Sequence, residues 1–135
     1  MKKLLLLLLL VPIISTAQVS SSIKPNKIVI QDNVERYLFD YSQADELGFI
    51  KMHAPTNWTE PIIEAAFEIK GIVLSGTLGL EFKDGIELIE TNNGFQIPKE
   101  KRVRIFNGGE NELVLIEILH PAYSEKRVKR FTGFD

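Results

Sequence analysis

Ile72-Val-Leu-Ser-Gly-Thr-Leu-Gly-Leu-Glu-Phe-Lys-Asp-Gly85 is the stretch that decides the fold class of this chain. Within it, Leu78, Leu80 and Phe82 alternate with small or polar residues, which is typical of a strand with one buried face. The step Asp84-Gly85 predicts a type I′ hairpin turn, because both central positions of that turn need positive φ. The stretch therefore predicts a β-hairpin.

Strand and turn signals continue on both sides of this hairpin. Segment 62–75 is long for a strand, and Gly71 is the expected place for a bend in it. Segment 34–41 fits either a strand or a helical turn, and segment 42–47 is expected to form one helical turn capped by Ser42. The remaining expected strands are 27–30, which is followed by a turn at Asp32-Asn33, and 48–54, 77–83, 86–90, 95–97, 102–106 and 112–120. Short strands at this spacing indicate an all-β sandwich or barrel.

Length, charge and cysteine content exclude several classes of function. The chain has 135 residues, enough for one domain with a single core. Its formal net charge of -2 gives no electrostatic reason to expect nucleic acid. It has no cysteine, which excludes disulfides, thiolate metal sites and cysteine nucleophiles.

The first residues have the pattern of a cleavable leader. Lys2 and Lys3 precede an apolar run, and small residues end at Ala17. We expect a signal peptide over 1–17, a flexible lead-in over 18–26 and a β-barrel domain over 27–135, with its best-supported core at 62–131. The protein is then secreted or periplasmic and keeps no stable membrane anchor after cleavage.

Two motifs in segment 62–131 resemble those of the cupin superfamily. Pro98 and Asn107 have the separation of the second cupin motif, and Asn92 stands where that motif begins with glycine. Gly76 fits the glycine that ends the first motif, and the chain continues to a His120-Pro121 ending. The resemblance implies a cupin-like jelly-roll β-barrel, a fold that often holds a metal ion.

The metal-ligand positions of the family are not retained. The resemblance assigns them to Ile63, Ala65, Ile69 and Val103, all of them aliphatic. Divalent metals need several nitrogen, oxygen or sulfur ligands converging on one point. We therefore expect no metal and no cofactor, and an interior packed as core.

Some side chains remain as candidates for ligand binding. Three are histidine or aromatic side chains near prolines, two are carboxylates that recur every four residues with Glu60, and one belongs to a basic cluster. The alternative is that each of these side chains has only a surface or packing role, with the glutamates on an outward, solvated face. The candidate set is His53, Trp58, Glu64, Glu68, Arg104 and Tyr123. No residue is assigned a catalytic role.

The sequence leaves three functional hypotheses. The leading one is an exported, metal-free, non-catalytic cupin-like protein that binds a small molecule, such as a sugar or a carboxylate, or serves as an assembly module. The alternative is a sugar isomerase- or epimerase-like enzyme with a displaced site around His53, Glu64 and Glu68. The third is a purely structural partner, suggested by residues 113–119, which are apolar on both faces. This strand predicts a homodimer unless the C-terminal tail covers its outer face.

Overall fold

The computed structural model describes residues 20–31 and 34–135. The expected signal peptide, the cleavage point before Gln18 and the expected turn at Asp32-Asn33 lie outside the described residues. Residues 20–25 of the expected lead-in are exposed and form neither strand nor helix. Within the described ranges, no helix has the length and apolar character needed to cross a membrane.

The described part of the chain is built from β-strands. The strands are β1 (Asn26–Gln31), β2 (Glu35–Asp40), β3 (Gly48–Ala54), β4 (Ile62–Ala65), β5 (Glu68–Ser75), β6 (Leu78–Phe82), β7 (Gly85–Ile89), β8 (Gly94–Ile97), β9 (Arg104–Asn107), β10 (Leu113–His120) and β11 (Val128–Phe131). A short 3-10 helix, Glu125–Arg127, precedes β11. The prediction of an all-β fold is confirmed.

Two antiparallel faces enclose the interior. One is a six-stranded sheet in the order β1-β2-β3-β10-β5-β8. The other consists of the small sheets β7-β6-β9 and β11-β4, which a bridge between Ile63 and Val103 joins. In that bridge each residue donates its N–H to the carbonyl of the other, at 2.9 and 3.0 Å. The result is a jelly-roll barrel, as the sequence predicts.

One end of the barrel is filled with aliphatic side chains. The largest fully buried ones come from both faces: Val73, Leu78, Leu80, Val103, Leu113 and Leu115. Burying a side chain of this size contributes about 1.5–3 kcal/mol to folding. Leu78 and Leu80 are buried as predicted, although Gly79 between them is buried as well.

Two local predictions are wrong. The bend in segment 62–75 lies at Ala66-Phe67, between β4 and β5, and not at Gly71. Gly71 lies within β5, where a Cβ would approach the ring of Phe95 to 2.5 Å. Segment 42–47 forms no helical turn, and the Ser42 hydroxyl instead accepts a hydrogen bond from the N–H of Phe49 at 2.9 Å.

The hairpin between β6 and β7 forms, but its turn differs from the prediction by one residue. Phe82 pairs with Gly85, so the central residues are Lys83 and Asp84. Neither has positive φ, which excludes a type I′ turn. Gly85 follows the turn with φ at +152°, a conformation that side chains with a Cβ rarely adopt.

We expect Gly85→Ala to lower the free energy of unfolding by about 1–3 kcal/mol. No atom lies within 4 Å of the added methyl group, so the loss comes from backbone strain alone. Gly133→Ala is the matched control, because that site is equally open and does not have such a φ. Chemical denaturation of both variants checks this, and equal stabilities would contradict the described turn.

Candidate functional site

A cavity that is partly open to solvent occupies the barrel next to the packed core. Its volume is about 510 Å³, within the range of pockets that bind small molecules. The inner surface of the six-stranded sheet forms one wall. The segment before β4, with β4, β9 and β11, forms the other.

The cavity walls are largely apolar. The aliphatic part includes Leu38, Ile50, Met52, Ile69, Ile105 and Leu119. Trp58, Phe67 and Tyr123 add three aromatic rings, two of them in contact with each other, since the centroids of Phe67 and Tyr123 are 6.2 Å apart. Such walls suit a ligand with an apolar body.

An ion pair lies in this apolar wall. Arg36 of β2 pairs with Glu60, and their side chains are only 12% and 19% exposed. The Arg36 guanidinium also lies 4.9 Å from the ring centroid of Trp58, and one of its terminal nitrogens is 3.5 Å from Met52 Sδ. Its Nε is buried without a hydrogen-bond partner among the residues that the structure describes. Removing one member of such a pair leaves the other charge without compensation.

Glu117 is a second carboxyl group in the cavity, and it has no such partner. It lies on the inward face of β10, opposite Ile50 on one side and Gly71 on the other. Burial raises the pKa of Glu117 to about 7, although Arg36 lowers it and Glu60 raises it further. Its remaining accessible surface faces the cavity, and it makes no hydrogen bond with residues 20–31 or 34–135. The group is therefore available to a ligand.

The other polar groups that line the cavity have hydrogen-bond or ion-pair partners in the protein. Asp40 accepts a hydrogen bond from the N–H of Ser42 at 2.8 Å. Arg130 forms an ion pair with Glu125, and the Tyr123 hydroxyl donates to the same carboxylate. Burial raises the pKa of Tyr123.

The four family positions for metal ligands face inward, as predicted. Ala65, Ile69 and Val103 are buried, and Ile63 lines the cavity. A metal does not fit this set, because aliphatic side chains offer no donor atom. No group of three or more His, Cys, Asp or Glu side chains suitable for a metal exists within the described residues. The expectation of a fully packed interior is wrong, because the apolar positions lie beside a cavity.

Two retained motif positions have structural roles. Asn92 has φ at 69°, which explains how asparagine replaces the glycine of the second motif. Asn107 is buried, and its Nδ2 donates to the carbonyls of Pro55 and Asn111 at 3.1 and 2.9 Å. Its Oδ1 accepts from the N–H of Gly109 at 3.0 Å. Asn107 therefore connects the loop after β3 to the loop between β9 and β10.

The structure brings only two of the six candidate residues to the cavity. Trp58 and Tyr123 line it, at the wall that Arg36 also reaches. The other four lie outside the cavity, and each has a side-chain partner there. His53 Nδ1 is 3.2 Å from Glu112, and Glu64 is 3.2 Å from Arg102. Glu68 is 3.1 Å from Lys70, and Arg104 is 2.6 Å from Glu81. The displaced site expected around His53, Glu64 and Glu68 is not assembled as one pocket.

Sequence reasoning missed the charged residues of the cavity. The sequence assigned no role to Arg36 or to Glu117, which lies within an apolar strand. Glu60 was expected to be solvated. Strand alternation could have identified Glu117, because it shares the parity of Leu113, Leu115 and Leu119, the buried face of β10. No comparable signal marks Glu60, since it precedes β4 in an irregular segment.

Comparison with known proteins identifies the fold. No family model matches the chain, and no curated protein matches it. Among solved structures, the polyketide cyclase RemF from Streptomyces resistomycificus superposes with a TM-score of 0.66 at 16% identity, over 82% of this chain and 83% of that one. An RmlC-like cupin from Shewanella frigidimarina gives a TM-score of 0.62 at 12% identity, over 74% and 88%.

A third neighbour is the EutQ protein of Clostridium difficile, with a TM-score of 0.57 at 17% identity. The match covers 67% of this chain and spans 65% of EutQ. At such identities the likeness concerns the fold. Together with the jelly-roll topology, it confirms the resemblance found in the two motifs: the chain has the fold of the cupin superfamily.

Proposed function

We propose that this protein binds a small molecule inside its barrel and does not act as an enzyme. The observation that carries the proposal is the largely apolar cavity of about 510 Å³ into which Glu117 presents an unpaired carboxyl group. Burying an ionisable group without a partner is unfavourable for folding. A group retained under that penalty is a common mark of a functional site.

The cavity chemistry bears on the ligand classes that the sequence suggested. A carboxylate ligand would meet Glu60 and Glu117, while the one cation beside them, Arg36, is already paired. Arg104, the expected carboxylate-binding residue, bonds Glu81 away from the cavity. A sugar could use Glu117 and stack on Trp58 or Tyr123. The site therefore favours neutral or cationic ligands over anionic ones.

A thermal-shift screen of the wild-type protein tests the proposal, with metals, sugars, carboxylates and amines in separate wells. We expect at least one organic compound to raise Tm in the wild type and to lose its effect in Ile63→Trp, because that side chain lines the cavity and a larger one fills it. Ile105→Trp is a second blocked variant. Ile86→Trp, at a position 58% exposed on β7, is the control. Compounds that stabilise all four proteins equally would argue against a cavity site.

The enzyme alternative has less support. Acid–base catalysis needs at least two titratable groups within reach inside one pocket. His53, Glu64 and Glu68 have separate partners outside the cavity. Glu60 and Glu117 do share the cavity, but Glu60 is neutralised by Arg36.

We also propose that the protein forms a homodimer through the outer face of its six-stranded sheet. Phe49, Ile72, Leu74 and Ile118 lie on β3, β5 and β10 and are each about two-fifths exposed, at 39%, 39%, 39% and 42%. The C-terminal tail does not cover them, because β11 pairs with β4 in the other face. These apolar side chains share their face with Lys51 and Lys70, which lie opposite Ile116 and Ile118. A surface of this kind suits an isologous interface, in which both subunits use the same surface.

Ile118→Lys tests the dimer. We expect light scattering to give twice the chain mass for the wild type and the mass of one chain for the variant, because a second positive charge beside Lys70 opposes association of the two faces. Ile86→Lys, an exposed isoleucine in the other face, should remain dimeric. A wild-type protein that is monomeric at tens of micromolar would contradict the proposal.

We propose export to the periplasm or the medium on the strength of the N-terminal sequence. Lys2 and Lys3, the apolar run and the small residues ending at Ala17 support cleavage before Gln18. The intact mass of protein recovered from the exported fraction should correspond to a chain that begins at Gln18. Recovery of the uncleaved chain from membranes would oppose it.

A further inference from the structure

We propose that the cavity selects ligands that carry one ammonium group on an apolar body, with the Glu117 carboxylate as its counter-ion. This inference rests on the proposed small-molecule function and adds the chemical class of the ligand. It is carried by the pairing of the charges around the cavity and by the shape and chemistry of its walls.

The charges around the cavity leave one group free. Arg36 is paired with Glu60, and Arg130 is paired with Glu125. Asp40 lies further along β2 and accepts the backbone N–H of Ser42. Glu117 alone has no partner among the residues that the structure describes. An ammonium group would therefore compensate the charge of Glu117, whereas an anion would add to the negative charge that Glu117 and Asp40 already place there.

The walls match the rest of such a ligand. The aliphatic side chains of the six-stranded sheet can pack against an apolar body, while Trp58 and Tyr123 present aromatic rings. Aromatic faces attract cations, and Trp58 already does so with Arg36 at 4.9 Å. An ammonium at Glu117 would exchange part of its hydration for a carboxylate between apolar walls, where the attraction between unit charges is stronger than in bulk water.

Protonation of Glu117 provides an independent readout. The charged and titratable groups that line the cavity with it are Arg36, Asp40, Glu60, Tyr123 and Arg130. Because the pKa of Glu117 is raised to about 7, its carboxylate is lost as the pH falls below that value. Amine binding should weaken in the same interval, while the binding of a neutral ligand should not change.

Two matched ligand series test the proposal at pH 8 by calorimetry: phenethylamine, 2-phenylethanol and phenylacetate, and hexylamine, hexanol and hexanoate. We expect each amine to bind at least about tenfold more tightly than its alcohol, and each carboxylate to bind most weakly. In Glu117→Gln the amine should lose this advantage while the alcohol keeps its affinity. Glu87→Gln, an exposed glutamate on β7, should behave as the wild type.

The outcomes separate this inference from the proposed function. Binding of the alcohols without any preference for the amines overturns the ammonium proposal and leaves small-molecule binding intact. An amine preference that survives in Glu117→Gln also overturns it. If none of the six compounds binds, the ammonium proposal fails, and the cavity-blocking screen alone decides whether another ligand occupies the site.

Discussion

Glu117→Gln is expected to stabilise the protein at neutral and alkaline pH by about 3 kcal/mol. The pKa of Glu117 rises from 4.5 to about 7 on folding because the group is buried. Each pKa unit corresponds to about 1.4 kcal/mol, which gives this magnitude. Glutamine has nearly the same shape and carries no charge, so it avoids the cost of burying the carboxylate.

The sign of the pH dependence follows from the same difference. Between pH 4.5 and about 7 the folded state binds a proton at Glu117 that the unfolded state does not. The stability of the wild type therefore falls as the pH rises through that interval, and it changes no further above it through this group. The difference between Glu117→Gln and the wild type should be near zero at pH 4.5 and largest above pH 7.

Urea denaturation at several pH values measures this difference. An increase of about 3 kcal/mol raises Tm by on the order of 10 °C in a domain of this size. Glu87→Gln is the control, because an exposed carboxylate on β7 should give the same small difference at every pH. A Glu117→Gln protein that is no more stable than the wild type at pH 8 would mean that Glu117 is paired or solvated in the native state.

Arg36→Met is expected to destabilise the protein by about 3–5 kcal/mol, the typical loss when one partner of a buried ion pair is removed. The substitution keeps the apolar stem but leaves the Glu60 carboxylate uncompensated, with Glu117 nearby. It should also raise the pKa of Glu117, because Arg36 is the group that lowers it.

A double-mutant cycle separates the interaction energy of Arg36 and Glu60 from the cost of burying each charge. Arg36→Met combined with Glu60→Met should recover most of the loss, since a buried pair replaced by apolar side chains is often close to neutral. Lys83→Met provides the matched surface case, because Lys83 and Asp135 are 66% and 93% exposed, and it should change stability by no more than about 1 kcal/mol. An Arg36→Met loss as small as that of Lys83→Met would contradict the description of Arg36 and Glu60 as a buried pair.

The sequence was sufficient for the fold class because short apolar segments and clear turn signals follow one another along the chain. Leu78 and Leu80 on β6 are buried as predicted, and β3 forms within its expected bounds of 48–54. The turn at residues 83–84 was misplaced because Asp-Gly fits both a type I′ centre and the end of another turn. Only the pairing of Phe82 with Gly85 distinguishes a turn centred on residues 83–84 from one centred on Asp84-Gly85.

The candidate site was harder to predict because its charged residues interrupt the alternation of apolar and polar residues that marks a strand. Glu117 is an isolated charge in an apolar strand, and its parity alone marks it as inward. Arg36 shares the inward parity of Leu38, yet segment 34–41 fitted a helical turn as well as a strand. Glu60 could not be assigned, because outside a strand the direction of a side chain is set by tertiary contacts. The cavity itself depends on how far apart the two faces pack.

The most direct test of small-molecule binding in the cavity is a titration of the isoleucine-methyl-labelled protein, followed by NMR, with the compound that raises Tm most. Ile50, Ile63, Ile69 and Ile105 line the cavity, whereas Ile72, Ile86 and Ile118 are exposed outside it. We predict that the methyl signals of the first group shift with a saturable dependence on ligand concentration, and that those of the second group do not. Shifts confined to Ile72, Ile86 or Ile118, or no shifts with any compound of the screen, would contradict a ligand site inside the barrel.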